Sequence, residues 1–185
     1  MARISPVTRD AVADKEKAAF DTFLQARGGE LNSGPYSLLL HMPELAQHLE
    51  TLRLYIRAEP SLAPRLMEIV MISVAREMNC AYIWYAHAAA ARSAGVRGEI
   101  VDNIRERKSM SGLAADEQTV IDYTLELLRT RKVSKSTFDR ALAQFGQRGT
   151  MTLTNLIACY AALAYNMNAF ELEAPKHPTE PALPL

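Results

Sequence analysis

Three residues able to do chemistry stand near one another in the middle of the chain: Glu68, Cys80 and His87. Glu68 is the only charge in the run LMEIVMISVA, residues 66–75. A carboxylate inside an apolar helix must find a partner, or desolvation raises its pKa. One available partner is Arg65, three residues earlier. The other is His87, provided that its helix folds back antiparallel after a tight turn at Asn79, because Glu68 and His87 each lie two turns or more from that corner. A Glu–His pair is an acid–base unit in which the carboxylate fixes the imidazole tautomer and supports its protonated form. Cys80 belongs to the segment NCAYIWYAH, residues 79–87, which holds the only tryptophan, one of two cysteines and one of four histidines. On a helix, Cys80, Ile83, Trp84 and His87 fall at i, i+3, i+4 and i+7, one stripe that walls either a pocket or a packed core. Ile83, Trp84 and Tyr85 are the expected substrate-contacting residues. An indole N–H in a pocket can orient a carboxylate, although packing is the simpler role for Trp84 and Tyr85. Cys80 is either a reactive thiol or a small apolar core residue. Arg65 and Arg76 are candidates for holding substrate charge.

These residues have to be positioned by helices. Residues 11–25 read as a first helix, broken by RGGELNSGP. YSLLLH is a short apolar helix stopped by Pro43, which then opens PELAQHLETLRLYIRA. Pro60 ends that element, and Ser61 is an expected N-cap for LAPRLMEIVMISVAREMN. The segment with the cysteine and histidine follows and closes at Gly95. RGEIVDNIRER and LAADEQTVIDYTLELLRT read as two more helices. SKSTFDRALAQFG opens on a serine cap and closes on Gly146. The last long helix, TMTLTNLIACYAALAYNMNAFEL, is apolar nearly all round, which predicts a central place or a subunit interface. No strand alternation and no internal repeat is visible. The fold class is therefore all-α, with eight or nine helices in one domain, residues 1–173, and a proline-rich tail, residues 174–185.

Composition narrows the function. Lys and Arg number 21, as do Asp and Glu, so the formal net charge is zero. A nucleic-acid or anionic-membrane partner needs a concentrated basic surface, and none is expected here. MARISPVTRDAVADKEK has no apolar core of signal-peptide length, and no run approaches a membrane span. With only Cys80 and Cys159, no disulfide framework is expected, and a cytoplasmic setting follows. His41, His48, His87 and His177 lack the paired spacing of a zinc site, and ARGGELNSG lacks the spacing and the lysine of a phosphate loop. No metal or cofactor is predicted.

Glu68, Cys80, position 83 and His87, at these spacings and followed by alanine-rich sequence and Gly95, resemble the core of the carboxymuconolactone decarboxylase and alkylhydroperoxidase D-like superfamily. GPYSLLLHMPELA resembles the segment that precedes this core in many members, and the likeness runs from about Gly34 to Glu173. The resemblance implies an alkylhydroperoxidase D-like helical bundle, a small-molecule substrate and a homo-oligomer, a trimer or hexamer. The peroxidase branch would imply a CxxC pair assisted by Glu68 and His87, but Ile83 stands where the second cysteine belongs, so Cys80 lacks its local resolving partner. Cys159 or an external thiol would have to replace it. The decarboxylase branch lacks CxxC and carries an aromatic-rich segment that WYAH, residues 84–87, resembles. It implies cofactor-free loss of carbon dioxide from an unsaturated lactone acid, with His87 as the acid, Glu68 tuning it and Cys80 lining the pocket. That reading leads. A thiol-dependent peroxidase using Cys80 is second, and a non-catalytic oligomeric binding or scaffold protein is third.

Overall fold

Every side chain from Leu66 to Arg76 is buried, so the helix that carries them, α4 (Pro64–Glu77), has no solvent face over most of its length. A helix apolar all round must be surrounded, and α4 packs against α5 (Ala81–Ser93), α7 (Ala115–Thr130) and α8 (Lys135–Ala169). The other helices are α1 (Lys17–Ala26), α2 (Pro35–Leu39), α3 (Pro43–Ala58) and α6 (Gly98–Glu106). The computed structural model describes residues 2–29, 34–175 and 178–184, and among these there is no strand. The fold is all-α, with eight α-helices among the described residues. No described helix is long and apolar enough to cross a membrane.

Proline sets three of the starts: Pro35, Pro43 and Pro64 each stand in the first turn of their helix. This corrects the expected cap of α4. Pro64 disfavours the helical conformation at the residue before it, so Ala63 is extended (φ −61°, ψ 141°) and the helix begins at Pro64. Ser61 instead meets the Thr152 hydroxyl at 3.0 Å. The first predicted helix also begins later than residue 11. Val12 is extended (φ −83°, ψ 140°) and 5% exposed, so burying its side chain splits residues 9–16 into two short 3₁₀ turns, and α1 starts at Lys17.

Serine and glycine delimit α8 where the sequence places them. The Ser134 hydroxyl accepts the Thr137 N–H at 3.4 Å. Gly146 takes a left-handed φ of 66° and divides the element into residues 135–145 and 147–169. Only glycine fits three residues later: a Cβ on Gly149 would stand 3.0 Å from the Ser61 carbonyl and 2.6 Å from the Phe145 Cβ. The longer arm buries Leu153, Leu156, Ile157, Tyr160 and Leu163, and leaves Met151 and Tyr165 on the surface.

Both ends of the described chain are fastened. The Arg3 N–H donates to the Phe170 carbonyl at 2.9 Å, and its guanidinium reaches the Ala169 carbonyl and Glu171. The proline-rich tail is docked at residues 180–182. The Trp84 indole N–H donates to the Pro181 carbonyl at 2.8 Å, Arg92 Nε to both Glu180 oxygens at 3.0 and 3.2 Å, and Arg105 to the Ala182 carbonyl at 3.2 Å. His177, within that tail, and residues 30–33 of the RGGELNSGP break lie outside the described residues.

Deleting residues 174–185 removes the acceptor of a fully buried indole. The expected outcome is a loss of about 1–2 kcal/mol in urea unfolding and a red shift in the fluorescence of Trp84, the sole tryptophan. Unchanged emission would show that the strap does not cover it.

Candidate active site

The corner between α4 and α5 determines what faces what. Asn79 is left-handed (φ 49°), a conformation that asparagine tolerates better than most residues. Its N–H donates to the Arg76 carbonyl at 3.2 Å, and the Cys80 N–H donates to the Ala75 carbonyl at 2.8 Å, the paired bonds of a Schellman C-cap. Cys80 is then the N-cap of α5, with its carbonyl accepting the Trp84 N–H. From Asn79, Glu68 lies eleven residues back and His87 eight residues on, about 16 and 12 Å of helix rise, so the two come level.

His87 Nδ1 stands 2.8 Å from Glu68 Oε2, the ring N–H donating and the carboxylate accepting. The second oxygen of Glu68 accepts from Arg57 Nη2 at 3.1 Å, and Arg57 Nη1 donates to the Tyr160 hydroxyl at 3.1 Å. Tyr160 meets the His87 ring edge-on, centroids 5.1 Å apart at 82°. Burial pushes the Tyr160 phenol up, against the lowering effect of the Arg57 bond and charge. Arg65 is not the partner of Glu68: it turns to α7 and pairs with Asp116 and Glu117.

His87, Ile83 and Tyr160 stand in the wall of a cavity of about 600 Å³ enclosed by α1, α2, α3, α5 and α8. The same cavity is lined by a second polar cluster. Glu50 accepts from Arg53 Nε at 2.6 Å and Nη2 at 2.8 Å, from Arg27 Nη1 at 2.8 Å and from the Tyr36 hydroxyl. Arg27 also lies over the Tyr36 ring, 4.7 Å from its centroid. Burial alone would raise the Glu50 carboxyl, but the Arg53 and Tyr36 hydrogen bonds and the charges of Arg53 and Arg27 outweigh it and hold the carboxyl below its ordinary range. Burial and the Glu50 carboxylate raise the Tyr36 phenol.

The stripe expected from Cys80 to His87 divides. Ile83 and His87 face the cavity, whereas Cys80, Trp84 and Tyr85 are not among the residues that line it. Cys80 is 1% exposed, its Sγ 3.9 Å from Met167 Sδ, and burial raises its thiol pKa. Trp84 is fully buried away from the cavity, with its N–H committed to the Pro181 carbonyl. Tyr85 is half-buried at the core margin. Cys159 lies eight residues before Met167 on α8, about 12 Å along the axis, and both cysteines are free thiols. Sequence reasoning passed over Arg57, Tyr160 and the Glu50 cluster. Their signal was the i, i+3, i+7 spacing of Glu50, Arg53 and Arg57, a charged stripe on α3.

Residues 43–125, from the start of α3 into α7, match the model of the carboxymuconolactone decarboxylase family. Solved structures share the whole bundle. An alkylhydroperoxidase AhpD core protein from Ralstonia eutropha, described as an uncharacterized peroxidase-related protein, superposes with a TM-score of 0.72 at 13% identity, covering 95% of this chain and 93% of the other. Over residues 43–125 the chain is similar to the carboxymuconolactone decarboxylase family, and it shares its fold with an alkylhydroperoxidase AhpD core protein. Other structures with this fold include the debrominase Bmp8, a cysteine-to-alanine variant in complex with 2,3,4-tribromopyrrole, with a TM-score of 0.72 at 15% identity over 95% and 92% of the two chains. A protein of unknown function from Agrobacterium tumefaciens matches with a TM-score of 0.69 at 13% identity over 76% and 97%. No curated protein is significantly similar in sequence.

The depressed Glu50 carboxyl carries a pH signature. Its contribution to stability is complete above the unfolded glutamate value, about 4.3, and is lost as pH falls through the lower folded value. Glu50→Gln should lower stability at pH 7 and flatten its dependence on pH in the acid limb of urea titrations; an unchanged acid limb would remove Glu50 as its source.

Proposed function

We propose that the protein is an acid–base enzyme acting on a small organic acid or lactone, with decarboxylation as its reaction and no cofactor. The observation that carries this reading is the His87–Glu68 contact of 2.8 Å in the wall of a cavity of about 600 Å³. With Nδ1 engaged by the carboxylate, Nε2 is the ring atom left to exchange a proton with a bound molecule. In the proposed step the bond from substrate carbon to its carboxylate breaks and carbon dioxide leaves. The electron pair passes into the conjugated lactone carbonyl, and the carbon takes a proton from His87 Nε2. Water then restores that proton. Glu68 holds the imidazolium through the cycle, and Arg57 and Tyr160 hold Glu68 and the ring in place. A substrate carboxylate has Arg27 and Arg53 in the lining of the cavity that holds His87, and the cavity charges Arg27, Arg53 and Glu50 sum to +1.

Thiol peroxidase chemistry has weaker support. A reactive cysteine needs an accessible thiol with a lowered pKa, and Cys80 is buried with a raised one. Two free thiols suit a reducing compartment, consistent with a cytoplasmic enzyme.

With unsaturated lactone acids as substrates and carbon dioxide release as the readout, His87→Ala should lose about 10²- to 10⁴-fold in kcat/KM. Glu68→Gln should lose less and shift the pH profile, and Cys80→Ser should stay close to wild type. Retained turnover in His87→Ala would end this assignment. Hydroperoxide consumption abolished by Cys80→Ser would replace it with the peroxidase reading.

We also propose a homo-oligomer, formed through α3 and α8. Leu45, Leu52 and Tyr55 of α3 and Met151 of α8 are 39%, 45%, 63% and 66% exposed, an apolar surface that a monomer rarely leaves to water. Light scattering should give a multiple of the 20.5 kDa chain mass, reduced by Leu52→Glu with Tyr55→Glu; a monomeric wild type would refute the interface.

A further inference from the structure

A second cavity, of about 250 Å³, opens between the C-terminal end of α4, the end of α6 and the middle of α7. It shares no lining residue with the cavity of His87. Its polar wall is basic. Arg76, Arg107, Lys108 and Arg129 line it, and Glu77 is the one carboxylate among its lining residues. Lys108 is neutralised by Glu106. Arg129 donates to both Glu77 oxygens at 2.8 Å, and Arg107 Nε approaches the same carboxylate at 3.6 Å. Three guanidinium groups therefore share one carboxylate, and the wall carries a net charge of +2.

Arg76 bears most of that imbalance. It is 7% exposed and makes no ion pair among the described residues. Its Nη1 donates to the Asn79 side-chain carbonyl at 2.7 Å, and its buried Nε–H has no acceptor among the described residues. Desolvation, with repulsion from Arg107 behind it, lowers its pKa. A guanidinium stays charged in proteins, and a buried charge without a counter-charge is among the most costly arrangements a fold can hold. The nearby Glu77 carboxylate offsets only part of this, because both of its oxygens are bonded to Arg129. The rest of the lining is polar at Ser73, Asn103 and Ser109 and apolar at Ile104, Met110, Ile121 and Leu125, and these four give the cavity an apolar floor.

We propose that this cavity is a binding site for a small oxyanion, held by Arg76 and Arg107, with room on the apolar floor for the short hydrocarbon body of an organic carboxylate. A carboxylate or a phosphate supplies the acceptor that the arginine fork matches. The charges fit inorganic phosphate as well, and the floor distinguishes the two sources by favouring a ligand with an apolar end. Because Arg76 lies four residues before Cys80, the site adjoins the corner that aligns Glu68 with His87.

The test is isothermal titration of the full-length protein, at constant ionic strength in chloride, with inorganic phosphate in one arm and acetate, butyrate and hexanoate in another. The expected result is saturable binding at one site per chain, tightening along the carboxylate series. Affinity should fall tenfold or more in both Arg76→Met and Arg107→Ala and be retained in Arg53→Met, which alters the other cavity. Arg107→Ala guards against misfolding of the buried variant, since the Arg107 side chain is 43% exposed. Phosphate binding with no carboxylate preference keeps the oxyanion site and removes the role of the floor. No saturable binding by any anion, or binding lost in Arg53→Met but retained in Arg76→Met, overturns the proposal. Absence of anion binding together with dissociation of an oligomer in Arg76→Met also overturns it, and assigns the counter-charge to a second copy of the chain.

Discussion

A carboxylate set in the middle of a fully surrounded helix is the constraint on which the rest of this molecule depends. Glu68 is 6% exposed, and water cannot solvate it there. The fold supplies three elements to do so: α5 brings the His87 ring, α3 brings Arg57, and α8 brings Tyr160 to the far side of Arg57. Each carboxylate oxygen has its own donor. Removing any one donor leaves a charged acceptor short of a partner in a low-dielectric site, a change worth about 1–3 kcal/mol or more. The same bonds that make Glu68 tolerable also orient the imidazole at the cavity wall. Stability and the proposed chemistry thus draw on one set of contacts.

The polar wall opposite follows a related logic with different weights. Glu50 is shared by Arg27, Arg53 and Tyr36, and it sits at the mouth, where Arg27 is largely exposed. Helix α3 therefore has reversed sides. Glu50 and Arg53 of its charged stripe line the cavity and Arg57 reaches Glu68, whereas Leu45, Leu52 and Tyr55 turn outward. A soluble helix ordinarily does the opposite. The reversal is intelligible if the cavity needs charge more than the surface needs polarity, and it leaves an apolar strip that an assembled neighbour would cover.

Much of this was legible in the sequence because it depends on local rules. Helix order followed from proline and glycine punctuation, and Gly146 broke α8 where expected. The Glu68–His87 alignment needed only helix rise and a tight corner at Asn79. What the sequence concealed was direction. Cys80, Ile83, Trp84 and His87 share a stripe on an ideal helix, yet Cys80 is a cap with non-helical dihedrals and Trp84 lies about 100° around from Ile83. A tail from the far end of the chain claims Trp84, and no local pattern announces such a contact. The inward charges of α3 escaped for the same reason: periodicity shows that one side of a helix is charged, not that the charged side faces in. Arg76 was a candidate for holding substrate charge, but nothing in α4 shows that its last turn is covered by α6 and α7 and faces a second cavity.

The fastened termini have a consequence for the order of folding. The α4–α5 pair joins residues close in sequence, so little loop-closure entropy opposes its formation. The bonds from Arg3 to Ala169, Phe170 and Glu171 close a loop of nearly the whole chain, and those from Trp84 and Arg92 to residues 180 and 181 close loops of almost a hundred residues. Such closures become favourable only after the intervening helices have already brought the partners near. The ends of the chain therefore act as late clasps on a bundle that forms from its centre, and they are the first parts that a partly unfolded molecule releases.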